Sequence, residues 1–81
     1  MAGADRELLL AEFQRLGMRS YAEARSLCLA WGFEERRTSG GHAFWAHPRG
    51  VTFTITMTRE LRVYYQTLVV KKIRQTQLLD A

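Results

Sequence analysis

Residues 33–57 read FEERRTSGGHAFWAHPRGVTFTITM, and the fold is decided there. The end of the stretch is its clearest part. In VTFTITM, Val51, Phe53, Ile55 and Met57 alternate with Thr52, Thr54 and Thr56. A period of two, apolar then hydroxyl, is what a strand shows when one side is core and the other is wet. HAFWAH before it reads as a second strand, limited by Gly40-Gly41 on one side and Pro48-Arg49-Gly50 on the other. FEERRTS is a short first strand, and SGG is the turn between the two. Alternation along HAFWAH puts His42, Phe44 and Ala46 on one face and Ala43, Trp45 and His47 on the other. Phe44 is expected to point into the core, which leaves His42 near the core-side edge beside the glycine turn.

The flanks have a helical period. Asp5 to Leu16 holds no Pro or Gly and places Leu9, Phe13 and Leu16 at i, i+4 and i+7, with Gly17 just past the end. Ser20-Tyr21-Ala22-Glu23 has the form of a capping box, in which Ser20 accepts from an orphan amide and Glu23 reaches back. Ala24, Leu27, Cys28 and Trp31 then make one apolar stripe, and Gly32 supplies a left-handed stop. Arg59 to Leu79 reads mostly as helix on a stripe of Leu61, Tyr65, Leu68, Val69 and Ile73. The β-forming run VYYQT (residues 63–67) predicts a late start, near Thr67. The order is helix, helix, three antiparallel strands, helix. That gives an α+β two-layer sandwich, a three-stranded antiparallel sheet with helices on one face. Residues 1–81 form a single domain, with 1–19 as an additional N-terminal helix before a 20–81 α-β-β-β-α core.

The 81 residues suffice for one small core but not for a deep pocket around a large cofactor. The lone Cys28 can make no internal disulfide and no zinc site, which favours a reducing compartment. No apolar run approaches the ~18–20 residues of a membrane span, and the N-terminal stretch carries acids where a signal peptide carries bases. The expectation is a cytoplasmic protein. Charge is uneven: residues 1–35 hold four Arg against six Asp/Glu, whereas residues 36–81 hold eight Lys/Arg against Glu60 and Asp80. A basic half rich in arginine suits phosphate contacts and stacking on bases, so a polyanion is the expected partner.

Both histidines fall in SGGHAFWAHP (residues 39–48), at the start of that basic half. Histidine titrates close to neutral pH and is the usual general base there. RNA brings its own nucleophile, the 2′-hydroxyl. Its cleavage needs a base, cations for the phosphorane charge, and a proton for the leaving oxygen. His42 as base, with Arg36, Arg37 and the amides of Gly40 and Gly41, meets the first two needs without a metal or cofactor. Lys71 and Lys72 add phosphate contacts. The acid is not assigned by the sequence; His47 is one candidate. A histidine beside a Gly-Gly turn also serves simply to cap it, and no P-loop, CxxC or HExxH pattern is present.

GFEERRTSGGHAFWAHP, followed by VTFTITM and REL…LVVKKI, resembles the HicA (YcfA-like) toxins, the mRNA-cleaving halves of bacterial toxin–antitoxin pairs. The likeness runs from about Ser20 to Leu79. It rests on a helix ending in Gly-Phe, an Arg-containing strand, a Gly-Ser-His turn, an aromatic, a His-Pro, a strand and a final helix. It implies a fold similar to a double-stranded-RNA-binding domain and a metal-independent endoribonuclease (mRNA interferase) activity. His42 takes the place of the catalytic histidine, and a HicB-like antitoxin is the implied protein partner. Gly41 stands where that family usually has serine, and the helix at 5–16 is additional. The alternative is a non-catalytic RNA-binding or protein-interaction module on the same fold, with a homodimer open.

Overall fold

The computed structural model describes residues 2–16, 20–37 and 40–80. Three helices and three strands follow one another as α1 (Ala2–Leu16), α2 (Tyr21–Ala30), β1 (Glu34–Arg37), β2 (His42–Ala46), β3 (Thr52–Thr56) and α3 (Val63–Asp80). The strands form one antiparallel sheet in the order β1-β2-β3. The fold is therefore a small α+β arrangement of helices and a three-stranded antiparallel sheet, as expected. Gly17, Ser39 and the side chains of Leu16 and Arg37, each named in the sequence reading, lie outside what is described.

The hairpin between β2 and β3 sets the geometry of everything else. His47 N–H donates to Val51 O at 2.9 Å, and Gly50 N–H donates back to His47 O at 2.8 Å, with Gly50 at φ +93°. This three-residue loop closed by a left-handed glycine fixes the register. Trp45 then faces Phe53, Phe44 faces Thr54, and His42 faces Thr56. Because Val51, Phe53 and Ile55 are buried, their partners Ala43 and Trp45 are buried with them. Phe44 instead lies half-buried on the other face, between Arg36 of β1 and Thr54 of β3. The expectation that Phe44 enters the core is thus overturned, and with it the core-side position of His42. Paired residues share a face, so the unambiguous pattern of β3 decides for β2.

The core joins that inner face to all three helices. Leu10 and Phe13 come from α1, Ala24, Leu27 and Cys28 from α2, and Val69 and Ile73 from α3. On α1 the buried pair is Leu10 and Phe13, while Leu9 is 40% exposed, a correction to the stripe read from sequence. The capping box at Ser20 and Glu23 is present in full, and Gly32 ends the α2 turn at φ +89°. The Trp31 indole N–H donates to Arg6 O at 3.0 Å, and the Arg6 guanidinium lies 4.4 Å from the Trp31 ring, which ties α1 to α2. Trp45 is wholly buried and its indole N–H has no partner, so the ring is held by packing alone.

α3 begins at Val63, not near Thr67. Tyr65 and Gln66 N–H both donate to Arg62 O, and the buried Gln66 amide donates to Leu61 O at 2.9 Å. The first turn is therefore closed by tertiary burial of Leu61 and Gln66. The weak preference of Val and Tyr against helix, about 0.5 kcal/mol each, does not outweigh this.

Candidate functional site

The uncovered face of the sheet carries Glu34 and Arg36 from β1, His42, Phe44 and Ala46 from β2, and Thr52, Thr54 and Thr56 from β3. Among the described residues Tyr65 of α3 reaches this face at Thr56, and the side chains of Glu34 and Arg36 are exposed to solvent. At one end lies His42. Gly40 and Gly41 precede it at φ +75° and +76°, a left-handed pair that turns the chain back into β2. The imidazole edge lies over the turn, with Cδ2 3.7 Å from where a Cβ on Gly40 would sit. A Cβ on Gly41 would meet nothing, so glycine is needed there for its backbone angle and not for space. The Gly41 carbonyl accepts from Met57 N–H at 2.7 Å, extending the β2–β3 ladder by one pair and anchoring His42 from behind.

Across the ladder from His42 is Thr56, whose hydroxyl donates to the Tyr65 phenol oxygen at 3.2 Å. Side chains so paired stand about 5 Å apart at Cβ. Thr56, Thr58, Arg62 and Tyr65 line a recess of about 160 Å³ at this edge of β3. An imidazole from β2, a phenol from α3 and the Arg62 guanidinium from the segment before α3 thus come to one end of the sheet. The sequence reading placed Tyr65 in the core stripe and did not single out Thr56 or Arg62. The threonine alternation was the available signal for Thr56; for Tyr65 none existed, because its reach depends on where α3 starts.

The other predicted residues separate. His47 lies at the far end of β2, about 16 Å from His42 at the ordinary strand rise. It cannot supply the proton for chemistry at His42. Its Nδ1 accepts from Arg49 N–H at 3.1 Å, and its ring meets Phe33 edge-on at 5.0 Å. Arg36 lies on the uncovered face, paired with Glu34 at 3.1 Å in an exposed contact. Arg37 pairs in register with Ala43. Lys71 lines a groove with Phe13 and Gln14 of α1, on the helical side of the molecule and away from His42. Lys72 sits seven residues after Tyr65, hence on the same stripe of α3 but two turns on. The two lysines therefore do not act as one patch.

Cys28 is buried, and burial first, then the Glu35 carboxylate, pushes its thiol far up from its ordinary value. It stays a neutral core residue and no nucleophile. Glu35 itself accepts from the Tyr21 phenol and, at 3.0 Å, from Arg25 Nε, joining β1 to α2 on the helix side. Among the described residues no cluster of three or more His, Cys, Asp or Glu is placed to hold a metal. No described helix is long and apolar enough to cross a membrane.

No protein-family model, curated protein or solved structure matches this chain.

Proposed function

We propose that this is a metal-independent endoribonuclease of the HicA-like toxin kind, on a fold similar to a double-stranded-RNA-binding domain, acting at His42. The observation that carries it is the exposed imidazole of His42 on the uncovered sheet face, set across from Thr56 and its hydrogen-bonded Tyr65. His42 accepts the proton of the 2′-hydroxyl as that oxygen attacks the adjacent phosphorus. The bond from phosphorus to the 5′-oxygen breaks, leaving a 2′,3′-cyclic phosphate and a 5′-hydroxyl. Tyr65 gives its phenolic proton to the departing oxygen, and Arg62 balances charge on the phosphorane. Both proton carriers are restored through solvent. Arg36 binds the substrate backbone; Lys71 and Lys72 lie outside the cleavage site and contribute only to the field. A HicB-like antitoxin is the partner of this proposal.

The test is cleavage of single-stranded RNA by purified protein in EDTA. His42→Ala is expected to lower the rate about 100-fold or more, and Tyr65→Phe about 10-fold or more, with RNA affinity unchanged. Intact RNA with the wild type, or equal cleavage by His42→Ala, ends this assignment.

A further inference from the structure

We propose that the uncovered sheet face is a platform for an unpaired RNA strand, with Phe44 stacking one base and Arg36 beside it holding phosphate. The proposal rests on His42 as the cleavage residue and adds where the substrate strand lies, along β2, and which side chains hold it. Phe44 is the one phenyl ring that the strands give to this face, and it is half-buried with its neighbours Arg36 and Thr54 in register on either side. A ring flush with a sheet offers a base its π-face, and a guanidinium next to it offers both charge and a second stacking plane. The threonine row on β3 supplies hydroxyls along the same line.

Beyond Phe44 the face ends in a recess of about 440 Å³ lined by Glu34, Arg36 and Ala46 of the face and by Gly32, Phe33 and His47. The hydrogen bond from Arg49 N–H to Nδ1 sets the orientation of the His47 ring at that recess. Gly32 keeps room for the ring, since a Cβ there would come within 3.2 Å of His47 Nε2.

Surface chemistry favours nucleic acid over a protein in this place. The strands place one arginine, Arg36, and one acid, Glu34, on the face, with His42 at its end. Glu34 is the one acid that the strands give to the face, and it faces Arg36 in an exposed pair of the kind worth little in water. Arg36 can therefore exchange Glu34 for phosphate. The apolar area consists of Phe44 and Ala46 among charges and hydroxyls, too little for a hydrophobic protein interface. A single ring among charges and hydroxyls also gives a duplex, whose bases are hidden, nothing to stack.

The experiment is fluorescence anisotropy with a short, labelled uridine-rich RNA whose 2′-oxygens are methylated, so that it binds but cannot be cut. Wild type should prefer this single strand to its duplex. Phe44→Ala and Phe44→Leu should each weaken binding about tenfold or more, and Glu34→Gln should tighten it. The leucine variant keeps the apolar contact and guards against mere loss of folding, which a thermal melt checks. The platform is overturned if folded Phe44→Leu binds like wild type, or if the duplex or neither RNA is preferred. Binding that survives without cleavage of unmodified RNA sinks the assignment of His42 and leaves the platform standing.

Discussion

Phe44 and Trp45 are neighbours in the chain and live in different surroundings. Trp45 is fully enclosed between the sheet and the helices, even at the cost of an indole N–H with no partner. Phe44 lies on a face of charges and hydroxyls. The same contrast runs through the whole sheet. The inner face is packed by α2 and α3, with Glu35 hydrogen-bonded to Tyr21 and Arg25 at its edge. The outer face leaves an imidazole, a phenyl ring and a guanidinium in reach of solvent. A small domain has one core to spend its apolar residues on, so large side chains kept off that core mark where binding is expected.

Substitutions on the two faces should therefore read out on different instruments. The largest effect on stability is expected from Trp45→Ala, about 4 kcal/mol, because it opens a cavity in the middle of the core. A urea titration that finds it less costly than Phe44→Ala would reverse the assignment of the faces. Glu35→Ala should follow at about 2 kcal/mol, since the Tyr21 phenol and Arg25 lose their charged acceptor on the helix side. Gly41→Ser should cost about 1 kcal/mol, from forcing a side chain into left-handed backbone at φ +76°. If that variant is fully stable and also cleaves faster, the hydroxyl that the resemblance leads one to look for matters more than the turn. The smallest effect on folding belongs to Phe44→Ala, within about 0.5–1 kcal/mol, with RNA binding carrying the loss instead. Cys28 gives an independent check on the inner face: alkylation of the native protein should be as slow as its unfolding, followed by mass spectrometry.

Several elements were legible in the residues themselves. The threonine alternation of β3, the capping box at Ser20 and Glu23, and the left-handed glycine at 32 are local features, each with a local physical cause. Their positions in the structure agree with the reading made from the chain. The face of β2 was not legible by alternation, because HAFWAH puts an aromatic on each side. It was recoverable from the turn: Pro48-Arg49-Gly50 is a three-residue loop, and counting back from the unambiguous Phe53 lands on Trp45. The start of α3 and the choice of Leu10 over Leu9 on α1 were not recoverable, since both depend on which neighbours arrive to bury those residues.

The candidate site divides in the same way. That His42 follows a glycine turn at the head of a strand is a property of ten consecutive residues. That Tyr65 and Arg62 line a recess with Thr56, across the ladder from His42, and that Lys71 and Lys72 part company is decided by the packing of α3 along the sheet. Short-range backbone preferences write the first kind of fact into the sequence. The second kind comes from contacts between residues far apart in the chain, where burial of the whole core selects one arrangement among several that local preference allows equally well.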